Sequence, residues 1–285
     1  MRWLVPVCLL FGCSAGTRPS PPVAPEPVVP SPPGVTPPAA GTWTFNYAPG
    51  TTRYQVSRSA AIESQSDSTG SKRETSTNAT NEFLSLVAAG DSGLSFTAIV
   101  DAFSTTGQGL IGPVPVIQLP VQVTGFLTAE TLIISGDTIT SIKCNPVFST
   151  LVSDVRNLLP RFPAELSPGK AWRDSVNSRG CQAGIPTTSR TTSAYVVAGE
   201  ANYEGRPVLV VQRSDMIQAH GEGAQQQHSV KLDAGGTGNA LYYLDRKDGR
   251  ITRITAGQEL NLTITTSGKL HQFKQNSKQE FRLVP

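Results

Sequence analysis

Apolar and polar residues alternate with a period of two along most of the chain after residue 42, and this alternation predicts β-strands. A further short strand is predicted around Ile139 and Ile142. The sets that share one strand face are Trp43, Phe45 and Tyr47; Tyr54 and Val56; Leu94, Phe96, Ala98 and Val100; and Val121 and Val123.

The C-terminal third is predicted to be a meander of longer strands. Asp-Gly between two alternating segments is a strong hairpin signal, and sequential hairpins give an antiparallel sheet with one apolar and one polar face. The predicted turns are Glu204-Gly205, His220-Gly221-Glu222-Gly223, Lys247-Asp248-Gly249 and Ser267-Gly268.

Residues 57–80 differ from the rest because 11 of these 24 positions are Ser or Thr. Asp67-Ser68-Thr69-Gly70 is typical of a turn. We expect two strands that leave the body of the domain as a solvated hairpin. A disordered loop is the alternative.

A single segment has helical periodicity, with Pro146 near its start and Pro160 just after its end. It has few basic residues, so we expect a core helix and not a membrane-surface helix. Its apolar stripe is Phe148, Leu151, Val152, Val155, Leu158 and Leu159.

These elements predict a mainly β domain over residues 42–285. We expect a large curved antiparallel sheet, shaped like a half-barrel, with one central amphipathic helix. A long sheet of this kind must curl to cover its own apolar face, and the helix would act as its plug or lid.

Composition and charge exclude two classes of protein. The 285 residues carry a formal net charge of +3 and only 16% charged residues. We exclude a nucleic-acid partner, because no dense Lys/Arg patch is interleaved with aromatic residues. We also exclude an integral helical membrane protein, because no apolar run reaches the ~18 residues that a spanning helix needs.

The N-terminus is typical of an export signal over residues 1–12, with Arg2 before a short apolar stretch. Leu10-Phe11-Gly12-Cys13 resembles the lipobox of bacterial lipoproteins. This resemblance implies that Cys13 becomes the acylated, palmitate-bearing N-terminus that anchors the protein to a membrane. An ordinary secretory signal, or a start codon assigned at the wrong place, is the alternative.

Residues 13–41 are predicted to be a lipidated linker, because 10 of the 20 positions from 19 to 38 are Pro. Such a segment forms an extended polyproline II spacer of about 60 Å, at ~3.1 Å per residue. In the lipoprotein family, Asp after the Cys favours the inner membrane. Ser14 stands there, so we expect the outer membrane and a domain in the periplasm or on the surface.

Two cysteines remain after Cys8 leaves with the signal and Cys13 takes the lipid. Cys144 and Cys181 form an even pair in an oxidising compartment, so one disulfide is expected, closing a loop of 37 residues. Two free buried thiols are the alternative.

Several short motifs suggest chemistry, but each is better explained as a turn. Gly90-Asp91-Ser92-Gly93 lacks a preceding His that could act as a base. The glycine-rich residues 233–238 are expected to form a hairpin bend or bulge, and 245–249 a turn without calcium-ligand spacing. His220, Glu222 and His228 are expected to be surface residues. We therefore assign no catalytic residue, no metal site and no cofactor.

The order of lipobox, Pro-rich linker, long strands and central helix, with Pro168-Gly169-Lys170-Ala171-Trp172, is similar to a family of bacterial lipoproteins and secreted β-proteins. It is also loosely similar to half-barrel envelope proteins of the LolA and LppX type. That second resemblance implies an apolar cavity for acyl chains and carries over no catalytic residue.

Three hypotheses follow. The first is a non-enzymatic, lipid-anchored envelope protein that holds a lipid or another apolar ligand in the curve of its sheet. The second is a structural or interaction module for an envelope protein partner, with a filled core and an exposed patch or open edge. The third, a hydrolase built on scattered carboxylates, requires a cleft with perturbed acids.

Overall fold

A computed structural model describes residues 34–36, 41–47, 49–65, 74–89, 93–108, 118–128, 131–135, 146–182, 185–225 and 228–284. Strands make up 78% of the structure, and one helix interrupts them. The predicted strand at Ile139 and Ile142 lies outside the described residues.

Eleven strands form one antiparallel sheet that is built from two meanders. The last strand, β13 (Lys269–Val284), pairs with β2 (Gly50–Gln65) and joins the two meanders edge to edge. The first meander contains β2 (Gly50–Gln65), β3 (Glu74–Ala89), β4 (Leu94–Gln108), β5 (Val121–Leu127) and β6 (Leu132–Ile134). The second contains β8 (Ala171–Gln182), β9 (Ile185–Tyr203), β10 (Arg206–Gln225), β11 (His228–Asp245), β12 (Ile251–Thr266) and β13 (Lys269–Val284).

The sheet curls through 294° as a half-barrel, which confirms the predicted fold class. β6 and β8 are its two edges. The curled sheet is tight where β11 meets β12. A Cβ at Gly236 would lie 2.0 Å from the backbone oxygen of Glu259. Only a residue without a side chain fits there.

The helix α1 (Pro146–Leu158) lies where the apolar stripe predicts it. Pro is tolerated in the first turn of a helix, and Pro160 follows the end, where it cannot extend the hydrogen-bond ladder. α1 contacts β4 and β5 near one edge of the sheet and β8 at the other. The helix therefore bridges the gap that the curled sheet leaves open.

The main apolar core lies on the concave face around α1. Val56, Tyr242 and Phe281 from the sheet and Leu151 and Val155 from the helix are each at most 1% exposed. Burying a side chain of this size contributes roughly 1.5–3 kcal/mol relative to leaving it exposed. The alternation in the sequence thus identified the correct apolar face of the strands.

A two-stranded sheet lies beside the large one and consists of β1 (Trp43–Thr44) and β7 (Glu165–Leu166). Before it, Thr36 exchanges two backbone hydrogen bonds of 3.0 Å with Glu200 of β9. Part of the segment that we predicted as linker is therefore docked against the folded domain.

Three local predictions were wrong. Residues 57–64 and 74–81 do pair as the two strands of a hairpin, but the hairpin does not leave the domain, because β13 and β4 flank it on either side. The predicted turn at residues 220–223 lies inside β10, where Gly221 pairs with Leu232. The glycine-rich residues 233–238 are neither a bend nor a bulge but regular positions of β11.

Candidate functional site

The concave face carries a buried charge cluster beneath α1. The Arg58 guanidinium on β2 contacts the Glu82 carboxylate of β3 at 2.9 Å and also the Asp154 carboxylate of the helix. Glu82 is 2% exposed and Asp154 1% exposed. Two acids therefore share one guanidinium in a space that excludes water.

The pKa of Asp154 is raised from its ordinary value of 3.8 to about 8, because burial, with the help of Glu82, outweighs the lowering effect of Arg58. Burial lowers the pKa of Arg58, but Asp154 and Glu82 outweigh it and hold that pKa above its usual range. A cluster of one cation and two anions is neutral when Asp154 holds a proton. Charge neutrality is the stable arrangement for buried groups.

The cluster continues as a hydrogen-bond network along the helix. Gln279 Nε2 donates to Asp154 Oδ1 at 2.7 Å, and Arg213 Nη1 donates to Asn157 Oδ1 at 3.0 Å. Arg213 also contacts the Tyr242 hydroxyl. These bonds hold the polar face of α1 to β13 and β10, so the helix is attached by polar contacts as well as by its apolar stripe.

This cluster contains an acid with the raised pKa that the hydrolase hypothesis required, but that acid is buried. Asp154 is covered by the helix that carries it and is 1% exposed. A general acid or base must lie within hydrogen-bond reach of its substrate. The geometry of the cluster therefore supports a role in fastening the helix to the sheet.

The far end of the concave face is filled by a second apolar cluster. Ile185, Val230 and Leu232 are at most 2% exposed there. Ile185 packs over Gly221 and Gly223 of β10, and its Cγ2 lies 3.3 Å and 3.5 Å from the points that their Cβ atoms would occupy. The chain's own side chains therefore occupy both apolar regions of the concave face.

Two grooves run across the strands on the outer face. The basic groove, of about 990 Å³, crosses β8 to β12 and includes Asn177, Arg179, Arg190, Gln218 and Asn261. On each strand, the side chains that point outward flank the groove. The inward-pointing residue between them contributes its backbone to the floor, as the alternation of a β-strand requires.

The neutral groove, of about 1130 Å³, crosses β11, β12, β13, β2, β3 and β4. Its outward residues include Thr77, Ser59, Asn276, Thr237 and Asn239. On β11 the basic groove ends at 235 and the neutral groove begins at 237. The two grooves are therefore adjacent and follow a diagonal across the outer face.

His220 and His228, the two histidines near Glu222 in the sequence, lie at the surface. His220 Nδ1 is 2.8 Å from Asp233 Oδ1, and Nε2 is 3.6 Å from Glu222 Oε1. His228 Nδ1 is 2.9 Å from the Ser267 hydroxyl. Within the described ranges, no group of three or more His, Cys, Asp or Glu side chains is placed to hold a metal ion.

Residues 245–249 form the predicted turn. The Asp245 carboxylate accepts a hydrogen bond from the Lys247 amide at 2.8 Å, and Asp248 accepts one from the Arg250 amide at 3.0 Å. Gly249 has φ 68°, which favours glycine. The two acids therefore stabilise the turn itself.

Some of the predicted sites cannot be placed. Residues 90–92 of the Gly90–Gly93 motif, the lipidation site Cys13 and one partner of the expected disulfide, Cys144, lie outside the described residues. Cys181 lies near the end of β8, with its backbone paired to Pro186. The disulfide and the lipid anchor therefore stay predictions.

Sequence reasoning missed both the buried charge cluster and the basic groove. For the cluster, a signal was present, because Asp154 is the single acid in the helix segment 146–158. For the groove there was none, since Arg179 and Arg190 belong to different strands. Only the pairing register brings them to the same surface.

No protein-family model matches the chain, and no curated protein matches it at a significant level. Among the residues that the structure covers, no helix is both long enough and apolar enough to span a membrane.

Proposed function

We propose that this chain is a non-enzymatic, lipid-anchored envelope protein whose domain binds a partner on the outer face of its curled sheet. The N-terminal sequence supports the anchor, with an apolar segment, the lipobox-like Cys13 and a Pro-rich spacer. The Ser at position 14 supports an outer-membrane location.

The observation that carries the binding role is the contrast between the two faces of the sheet. α1 and two buried apolar clusters cover much of the concave face, whereas the outer face presents two adjacent open grooves. Apolar side chains that pack against one another inside the sheet, together with an accessible outer face, favour surface recognition over storage of a ligand inside the sheet.

Site-specific photo-crosslinking in intact cells tests this proposal. A photoreactive amino acid replaces Gln218 in the basic groove, and a matched control carries it at the exposed Thr51 on β2. We expect an adduct from position 218 and none from position 51. Equal adducts at both positions, or none at either, would refute a partner in the basic groove.

The anchor has its own test. Cys13→Ser removes the sulfur that would carry the lipid, so we expect loss of palmitate labelling and release of the chain from the membrane fraction. A single acyl chain binds membranes only weakly, so stable retention requires the full lipoprotein modification. Unchanged retention of the variant would show that another segment anchors the chain.

A second candidate is the carrier of an apolar ligand, favoured by how α1 is held. Buried polar contacts at Asp154 and Asn157 fasten one side of the helix. Release of those contacts would expose the apolar core beneath it. Native mass spectrometry tests the carrier role: a co-purified lipid at one per chain would favour it over the surface role. If the chain is a carrier, addition of a fluorescent fatty acid should also increase the rate of backbone amide hydrogen exchange in α1, because the ligand would displace the helix from the core.

A further inference from the structure

Two arginines of the basic groove lie close together without a partner. Arg190 on β9 pairs with Asn177, and Arg179 on β8 pairs with Thr188, so the two arginines are diagonal neighbours. Diagonal positions in an antiparallel pair are about 7–8 Å apart. Both side chains are exposed, and among the described residues neither guanidinium has an ion pair or a hydrogen bond.

The acids on this part of the outer face lie away from the two arginines. Glu222 pairs with Lys231 at 3.1 Å. Asp233 lines the groove itself, but it contacts His220 at 2.8 Å and lies on β11, three strands from Arg179 on β8. The two arginines leave an uncompensated positive charge at the end of the groove that meets the edge strand β8.

Apart from the two arginines, His220, Asp233 and three small apolar residues, the lining of the groove carries hydroxyl and amide groups. Asn177, Thr188, Gln218, Asn261 and Thr263 contribute these groups, and the described lining contains no Phe, Tyr or Trp. Bases of single-stranded nucleic acids need aromatic stacking platforms, and protein hot spots combine Arg with Trp and Tyr, which are absent from this lining. The groove instead suits a ligand that is hydroxylated and anionic.

The direction of the groove limits which ligands can bind in it. It crosses five strands, so an extended peptide lying in it could not pair with the sheet as an added strand. Its length is about 19 Å from four strand spacings of ~4.8 Å, and the neutral groove continues it. A long chain that binds through side-chain hydrogen bonds and charge matches this shape.

We infer that the basic groove binds an acidic polysaccharide, with Arg179 and Arg190 contacting its carboxylates and the amide and hydroxyl side chains contacting its sugar hydroxyls. This inference rests on the proposed outer-face role and specifies its ligand class. Guanidinium groups pair with carboxylates through two parallel hydrogen bonds, which makes arginine the suitable cation.

Binding of the purified full-length chain to immobilised polygalacturonate tests the inference, with neutral dextran as the uncharged reference. Arg179→Gln with Arg190→Gln removes both guanidiniums. Arg206→Gln with Lys269→Gln removes the same charge from exposed positions outside the groove. We expect the groove variant to weaken binding about tenfold and the control to change it less than about twofold.

A charge-neutral variant separates the groove from diffuse electrostatic attraction. Gly235 is part of the groove lining, and a Cβ there would meet no atom closer than the backbone oxygen of Ile217 at 4.0 Å. Gly235→Gln should therefore fold normally and obstruct the groove. We expect it to weaken polygalacturonate binding as well, with an unchanged thermal unfolding midpoint.

Three results would overturn the inference: equal losses in the groove and charge-control variants, full binding by Gly235→Gln, or no binding of polygalacturonate by the wild-type chain. Binding of poly-glutamate or of anionic vesicles in place of polygalacturonate would identify a peptide or a membrane as the ligand. If the crosslink at position 218 persists in those cases, the outer-face role stands and only the ligand class is wrong.

Discussion

Replacing Asp154 with Asn probes the charge cluster that holds the helix in the sheet. Asn has nearly the shape of a protonated Asp, stays neutral at every pH and keeps an oxygen for the Gln279 amide. Burial and the neighbouring Glu82 outweigh Arg58 and leave the pKa of Asp154 at about 8, above its ordinary 3.8. The variant therefore imitates the neutral cluster that we expect below that pKa.

The sign and size of the effect follow from proton linkage. Between pH 3.8 and about 8, the folded chain holds a proton on Asp154 that the unfolded chain has released. The free energy of unfolding therefore falls as pH rises, by at most about 1.4 kcal/mol per pH unit. From about pH 5 to pH 7, the wild type should lose up to about 3 kcal/mol that Asp154→Asn keeps.

Urea unfolding followed by tryptophan fluorescence at about pH 5, 6 and 7 measures this difference at constant ionic strength. Asp101→Asn is the matched control, because Asp101 is exposed and contacts Arg53 in a surface ion pair. We expect Asp101→Asn to run parallel to the wild type. If Asp154→Asn shows the same pH slope as the wild type, the buried carboxyl does not hold a proton in the folded state.

Three further predictions concern packing and the disulfide. Gly236→Ala should destabilise the fold by more than about 2 kcal/mol in urea unfolding, because its Cβ would lie 2.0 Å from a backbone oxygen of β12. Gly235→Ala has open space and should stay within about 0.5 kcal/mol of the wild type, so equal effects would contradict the tight curl. Leu158→Ala in α1 should cost about 2–5 kcal/mol in the same assay, and a smaller loss would mean that the helix packs loosely. Thiol titration of the processed, unreduced protein should find no free thiol, and reduction should cost about 3–4 kcal/mol; two free thiols would rule out the bond between Cys144 and Cys181.

Local sequence patterns predicted most elements correctly because each depends on neighbours within a few residues. Tyr54 and Val56 are buried on one face as their alternation indicates, and the helix lies between Pro146 and Pro160. The turn prediction at residues 220–223 failed for a long-range reason. Its glycines look like turn residues, yet they lie inside β10, where a Cβ at Gly221 would be 2.6 Å from the backbone oxygen of Pro186 on the neighbouring strand.

Local sequence patterns could not predict the candidate sites. Arg58 and Asp154 are 96 positions apart in the chain and meet only because α1 enters the curled sheet. Arg179 and Arg190 share a surface only through the register of β8 and β9. A shift of that register by one residue would move an entire row of side chains to the other face.

The amino-acid sequence by itself determined which face of each strand is apolar, where the helix lies and which segment resembles a membrane anchor. These are properties of single segments, since burial favours a period of two in strands and 3.6 in helices. The tertiary structure alone decided that β13 pairs with β2, that the sheet curls through 294° and that α1 bridges its edges. Those outcomes depend on contacts between distant segments, where twist and packing choose among pairings that local patterns leave equivalent.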